Sequence, residues 1–140
     1  MSSLSTRRRQ RGQSLVEFAI VVPILLLLIS GGADLTRAFF VGIQISDASR
    51  QAALYAANNP DSYNQPALQT IANENAGGGP LVCPSGQLHV TLGAPYSDSS
   101  TAPDGAFYQP VTVVCDLPML TPGIPSPVTI RASATALILP

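Results

Sequence analysis

A single carboxylate, that of Glu17, stands at the beginning of an uncharged run where an ionised side chain is costly to keep. Residues 18–33 carry no charged side chain, and residues 24–29 are all leucine or isoleucine. An ionised group at the centre of a bilayer costs up to about 3 kcal/mol and is expected to have a partner. If this run lies in a membrane, Glu17 therefore needs a positively charged group close by.

The two cysteines, Cys83 and Cys115, are the second set of residues with a chemistry of their own. They lack Cys-x-x-Cys spacing, and together with the single histidine they cannot complete a tetrahedral zinc site unless carboxylates join them. Outside the cytoplasm a disulfide is the simpler interpretation. Such a bond would stabilise the fold by roughly 3–4 kcal/mol in the chain-entropy model.

Catalysis is not indicated by the residues present. A Ser-His-Asp triad needs a histidine, and the only one, His89, lies in a predicted strand between Leu88 and Val90. It therefore faces away from those apolar side chains, toward solvent. The glycines at 77–79 are not followed by Lys-Ser/Thr, so they do not form a phosphate loop. We predict no enzyme, no cofactor, no metal site and no small-molecule substrate.

Positive charge is concentrated at the N-terminus. All seven basic residues are arginines, and from Gln13 onward three arginines stand against eight acidic residues, a net charge of −5. A nucleic-acid-binding protein carries its positive charge on the folded domain, so this distribution argues against nucleic acid as a partner. The other four arginines form the arginine cluster: Arg7, Arg8, Arg9 and Arg11.

Residues 13–33 are long enough to cross a membrane as a helix. These 21 residues would rise about 31 Å at about 1.5 Å each, and the hydrocarbon core is ~30 Å thick. Because positive charge stays on the cytoplasmic side, the arginine cluster predicts a cytoplasmic N-terminus, with the chain outside from about Asp34. We predict a basic cytoplasmic leader over 1–12 and a transmembrane helix over 13–33.

Three ordinary interpretations of this N-terminal segment compete. A cleaved secretory signal explains the arginines and offers a small-residue site at Gly31-Gly32-Ala33, but a carboxylate weakens its apolar region. A twin-arginine signal begins suitably at Thr6, yet Gln10 and Arg11 stand where apolar residues should follow. A generic membrane anchor leaves Glu17 unexplained.

The junction "GQSLVEF", residues 12–18, resembles the class III signal of type IV pilin-like proteins: a basic leader, a glycine before the cut, and glutamate fifth in the mature chain. More closely, "RGQSLVEFAIVVPILLLL" followed by "GADLTRAFF" resembles the TadE-like family of the tight-adherence (Tad/Flp) pilus system. The shared features include Pro23, the leucine run, and an acidic-x-x-Arg element at Asp34 and Arg37. The resemblance covers roughly residues 7–57.

The resemblance implies cleavage between Gly12 and Gln13 by a prepilin peptidase. The cut would free the α-amine of Gln13, which is cationic at neutral pH. Within one helix Glu17 is its i+4 neighbour, whereas in an assembly Glu17 would meet the terminus of an adjacent subunit. Both pairings stay open, and the resemblance assigns Glu17 and Phe18 to assembly.

The function implied by the resemblance is that of a minor pilin-like protein acting in pilus assembly, surface adherence or secretion. Its expected partners are the prepilin peptidase, other pilins and pseudopilins, the Tad assembly machinery and membrane lipid. Its expected location is the bacterial cytoplasmic membrane, as a single-pass protein, with a surface pilus as a further destination. The alternative is an uncleaved single-span envelope protein whose exported domain is a protein-interaction module.

For the whole chain we predict an α+β, pilin-like fold, in which a small antiparallel β-sheet packs against a long N-terminal helix. This helix should be kinked or loosened at Pro23, continue outside the membrane over 34–58, and stop at Asn58-Asn59-Pro60. Residues 59–140 should form a small exported α+β domain with about three strands. The predicted elements are a short helix over 66–75 and strands over 87–92, 110–115 and 126–139.

One face of the outer half of the long helix carries small residues, which permit close approach of another element. Two interpretations stay open for this small-residue face: packing against the protein's own sheet, or contact with another helix in a filament or a partner pseudopilin. Its members are Gly42, Ser46, Ser49, Ala53 and Ala56.

Overall fold

The computed structural model describes residues 6–76, 83–97 and 105–139, with residues 6–11 described by their backbone alone. The glycines at 77–79 and the side chains of the arginine cluster lie outside the described residues. The chain has the predicted α+β fold, a long N-terminal helix packed against a three-stranded antiparallel sheet. Its elements are α1 (Thr6–Asn58), α2 (Gln65–Ala76), β1 (Leu88–Leu92), β2 (Phe107–Leu117) and β3 (Val128–Ile138).

Helix α1 is continuous over 53 residues and remains helical through Pro23. At about 1.5 Å per residue it extends for roughly 80 Å, more than twice the thickness of a hydrocarbon core. It ends where the sequence predicts, because the side-chain amide of Asn59 donates to the Tyr55 carbonyl oxygen at 2.9 Å and Pro60 follows. One continuous helix therefore contains the apolar segment and also forms part of the folded domain.

The sheet has the strand order β1-β2-β3, and both pairings are antiparallel. On β1 the predicted alternation is confirmed, since Leu88 and Val90 are buried and His89 is exposed. The five residues of β1 pair with only part of β2, whereas β3 pairs with β2 over its whole length. The sheet is therefore three strands wide over residues 111–115 of β2 and narrower at both ends of that strand.

The core lies between one face of this sheet and the two helices. From α1 it takes a stripe at helical spacing, and from β2 the alternate residues. Of the small-residue face, Ser49, Ala53 and Ala56 are buried, while Gly42 and Ser46 are half-buried. The small-residue face thus packs against the protein's own domain. Core residues include Val41, Ile45, Ala48, Ala52, Leu68, Ala72, Val111, Val113 and Leu117.

Strand β2 extends beyond the predicted 110–115 at both ends, and it contains a proline although it is the central strand. Pairing with β1 stops at Val111, one residue after Pro110, so the missing N–H of Pro110 removes no bond from that ladder. The Pro110 carbonyl still accepts the Gly93 N–H at 2.9 Å. A β-carbon on residue 93 would come within 2.5 Å of the Pro110 ring, so glycine permits this approach.

Candidate functional site

The apolar half of α1 carries the residues that the sequence assigned to processing and assembly. Gly12, Gln13, Glu17 and Phe18 all lie on this helix and are all exposed. Positions 13 and 17 are one turn apart on the same face. Among the described residues, none forms an ion pair with Glu17. Within the described part of the chain, the Glu17 carboxylate is therefore exposed and has no ion-pair partner.

Almost all of the segment over residues 12–33 is exposed, and none of it belongs to the core of the sheet domain. The helix is long and apolar enough to cross a membrane, and none of its most apolar window is buried within the protein. Burial of apolar side chains is the main favourable term in folding, so a water-exposed run of this length would be unfavourable. Such a run is typical of a helix that crosses a membrane.

Cys83 and Cys115 form a disulfide, with their Cα atoms 5.9 Å apart. Cys115 lies on β2 opposite Leu88, and the Cys83 N–H donates to the carbonyl oxygen of Ala76, the last residue of α2. The bond therefore links the end of α2 to the central strand. Both sulfurs are fully buried.

Asp34 makes a contact between α1 and the sheet domain that the sequence analysis did not predict. Both of its carboxylate oxygens accept the Leu120 N–H at 3.0 Å, and Oδ2 also accepts the Thr121 N–H at 2.7 Å. One turn later, Arg37 Nη1 donates to the Pro118 carbonyl oxygen at 3.3 Å. The acidic-x-x-Arg element thus holds the chain that follows β2, and we call this contact the Asp34 clasp.

The clasp keeps Asp34 charged. Only 3% of Asp34 is exposed, and a buried carboxylate requires hydrogen-bond donors. The Leu120 N–H is the main cause that lowers the Asp34 pKa, followed by the nearby Thr121 hydroxyl, while burial of the carboxylate raises it in part. The Thr121 N–H and the Arg37 charge lower the pKa further.

Acidification is expected to open the clasp. Because the pKa of Asp34 is lowered from its ordinary 3.8, its contribution to stability is fully present above 3.8 and is lost as pH falls through the lower, folded-state value. An NMR titration of the Leu120 and Thr121 amides should show both shifts change in that acidic window. Asp34→Asn, which lacks the charge and offers one acceptor oxygen instead of two, should also change the Leu120 and Thr121 shifts at neutral pH.

Asp47→Asn is the matched control for this titration. Asp47 also lies on α1, but its ion-pair partner among the described residues is Arg50, at 4.0 Å, with both side chains largely exposed. Exposed pairs of this kind contribute little, so the Leu120 and Thr121 shifts should stay unchanged. Unchanged shifts in Asp34→Asn as well would contradict the clasp.

The match to a known family falls on α1. Residues 12–54 form a TadE-like segment. The predicted resemblance is confirmed over this segment, which contains the Gly12–Gln13 junction, Glu17 and both residues of the acidic-x-x-Arg element. No curated protein and no solved structure matches the chain.

The TadE-like segment ends on α1, four residues before that helix does, so α2 and the sheet lie outside it. The family indicates a Tad pilus-associated protein with an apolar N-terminal helix, and TadE-like proteins are pilus components rather than a known enzyme family. Together with the exposed apolar half of α1, the match indicates a single-pass membrane protein of a pilus system. Within the described residues no group of three or more His, Cys, Asp or Glu side chains could hold a metal ion.

Proposed function

We propose that this chain is a minor pilin-like protein of a Tad-type system, cleaved after Gly12 by a prepilin peptidase and acting in pilus assembly and surface adherence. The observation that carries the proposal is the TadE-like segment, residues 12–54, on a helix whose apolar half is exposed. The core that the sheet domain forms with this helix takes its buried helix residues from Val41 onward. The apolar half is thus free for lipid and then for other subunits.

Orientation follows from charge and from the disulfide. The arginine cluster precedes the apolar segment, so the leader stays in the cytoplasm and the sheet domain is exported. Disulfides persist in oxidising compartments outside the cytoplasm, and the Cys83–Cys115 bond lies in the exported part. Both features support insertion of the N-terminus toward the cytoplasm of a bacterial inner membrane.

Processing supplies the partner that Glu17 lacks. Gly12 is exposed and has no heavy atom near the place where a β-carbon would stand, so a peptidase has access to the Gly12–Gln13 bond. Hydrolysis of that bond produces an α-amine on Gln13, a cation at neutral pH. It lies one turn from Glu17 within the chain, and near a neighbour's Glu17 if the subunits are staggered.

Beyond the span, the exposed apolar surface of α1 continues with Leu35, Phe39 and Ile43, spaced by four residues. Side chains at this spacing lie on one face of a helix. This face supports contact with other pilins or with the Tad assembly machinery. It is distinct from the small-residue face, which the protein's own domain covers.

The N-terminal residue of the membrane-extracted chain tests the proposal. Intact mass and N-terminal sequencing should find a chain that starts at Gln13. Gly12→Val should retain the leader, because a β-branched side chain then flanks the scissile bond. Gly32→Val is the control, since Gly32 is also exposed on α1 with open space around it, and this variant should be cleaved normally.

The other outcomes separate the alternatives. A full leader on the wild-type chain, in cells that process other prepilins, would favour the uncleaved single-span envelope protein whose exported domain binds a partner. A chain that starts near Asp34 would indicate a secretory signal cut near Gly31-Gly32-Ala33 and would contradict both membrane-anchored forms.

A further inference from the structure

The connection between β2 and β3, residues 118–127, lies against α1 where the apolar segment ends. The Asp34 clasp holds the beginning of this β2–β3 connection. Met119 and Ile124 also line a cleft together with Gly31 and Ala38 of α1. The sheet domain therefore reaches back along the helix to residues that the predicted span includes.

This contact fixes the height of the connection relative to a bilayer. Gly31 is two residues inside the predicted end of the span at residue 33, which corresponds to about 3 Å along a helix. Ile124 shares a cleft with Gly31, so it lies at the outer edge of the hydrocarbon region. From there β3 runs away from the membrane, because its later residues, Ala134 and Leu137, line a cleft with Arg50 and Leu54 farther along α1.

The side chains of the connection suit an apolar surrounding. No charged residue occurs between Asp116 and Arg131. Leu120 is 66% exposed and Ile124 is 41% exposed, so both project from the protein at this height. When lipid replaces water around exposed apolar side chains next to a span, the transfer stabilises the protein by about 25 cal/mol for each Å² of apolar surface that is buried.

The backbone N–H groups of the connection are also suited to an environment of low polarity. Four of its ten residues are prolines, which have no N–H to desolvate. Of the other six N–H groups, four are hydrogen-bonded within the protein. They belong to Met119, which donates to Ser126 Oγ, Leu120 and Thr121, which donate to Asp34, and Ile124, which donates to the Thr121 carbonyl oxygen. Unsatisfied backbone groups are what excludes irregular chain from lipid, and most of the N–H groups of the connection are satisfied.

We propose that the β2–β3 connection is a second membrane-contacting element, with Leu120 and Ile124 inserted into the outer interface of the bilayer that α1 spans. The inference rests on the proposed function only in that α1 is taken to span a membrane. The occupant of this surface is lipid, because the surface continues the apolar wall of the span, the connection carries no charged side chain of its own, and the Asp34 carboxylate beside it is buried under the Leu120 and Thr121 N–H groups. With α1, the connection gives the exported domain two points of contact and so fixes its rotation about the helix.

Tryptophan fluorescence in bilayers of brominated lipid tests this proposal, because the native chain has no tryptophan. Leu120→Trp and Ile124→Trp would each be reconstituted as the full chain, one copy per lipid nanodisc. Bromine near the carbonyl end of the acyl chain should reduce the emission of both variants more than bromine near its methyl end does. Both variants should also emit at shorter wavelength than a tryptophan in water.

Two control variants calibrate depth. Leu25→Trp, in the middle of the span, should be quenched most by the deep bromine. Ser133→Trp, on an exposed position of β3 about 17 Å along the strand from Val128 at ~3.3 Å per residue, should be quenched by neither. This last control also shows whether an introduced indole is drawn to lipid from any surface position.

Each other outcome overturns the proposal in a recognisable way. Quenching of Leu25→Trp without quenching at 120 and 124 would reject the contact and leave the span intact. Absence of quenching at all three positions would reject the span, and the contact with it. A blue shift at 120 and 124 that needs two copies in one nanodisc, without lipid quenching, would show that a second chain covers this surface.

Discussion

Glu17→Val is expected to leave the chain in the membrane and to remove it almost completely from assembled pili. Valine lacks the charge that costs up to about 3 kcal/mol at the bilayer centre, so the variant should insert at least as well as the wild type. It also lacks the carboxylate that would neutralise the α-amine of Gln13. In the single chain Glu17 is exposed on α1, so the fold of the sheet domain should be unaffected.

The size of this effect follows from the amine that is left behind. Removing one partner of a buried ion pair costs about 3–5 kcal/mol, because the other charge remains buried and uncompensated. Since about 1.4 kcal/mol corresponds to a factor of ten, subunit incorporation should fall by roughly a hundredfold or more. The amount of the chain in sheared pili, divided by the amount in the membrane fraction, measures this ratio.

Two further substitutions separate charge from shape. Glu17→Gln is nearly isosteric but uncharged, and it should lose incorporation as Glu17→Val does. Glu17→Asp keeps the charge on a shorter side chain and should retain part of the activity. All three chains must start at Gln13 by mass, which shows that the loss arises after processing. Normal fibres from Glu17→Val would refute the pairing argument.

The elements that the sequence predicted correctly are those with a strong local pattern. Leu88, His89 and Val90 alternate in polarity, and the structure buries, exposes and buries them in turn. The end of α1 was predicted because Asn59 and Pro60 are local stop signals. Patterns of this kind depend on neighbours along the chain, and no tertiary contact is needed to interpret them.

The ends of β2 were predicted less well because they depend on tertiary pairing. Pro110 resembles a strand boundary in the sequence, yet the strand continues back to Phe107 because β3 pairs with it there. The proline is tolerated because β1 has already ended on its other side. That condition depends on the length of a strand elsewhere in the chain, which the local sequence does not encode.

The Asp34 clasp was not predicted from the sequence, for a related reason. The sequence identified Asp34 and Arg37 as a family element, but the partners of Asp34 are main-chain N–H groups 86 and 87 residues away. Every residue other than proline has such a group, so Leu120 and Thr121 give no signal of their own. The one signal in the sequence was that Asp34 directly follows an uncharged run. A carboxylate that the fold buries at such a place needs hydrogen-bond donors.

Breaking the Cys83–Cys115 bond is expected to destabilise the sheet domain by roughly 3–4 kcal/mol in the chain-entropy model. The two cysteines are 32 residues apart, and the loop between them contains the whole of β1. Without the bond, β1 and the end of α2 are held to β2 only by non-covalent contacts. A small domain has about 5–15 kcal/mol of stability in all, so a large share would be lost.

Reduction of the wild-type chain and the double variant Cys83→Ala/Cys115→Ala provide independent measurements of this loss. Both break the cross-link, but only the variant removes two buried sulfurs from the core. Urea unfolding of the full chain in detergent would be monitored by amide exchange in β2. The free energy of unfolding should fall by a similar amount in both cases, and by slightly more in the variant. Protection in α1 over residues 13–33 should not change, because that segment makes no contact with the cross-linked loop in the core. A reduced chain as stable as the oxidised one would show that packing alone holds β1 on the sheet.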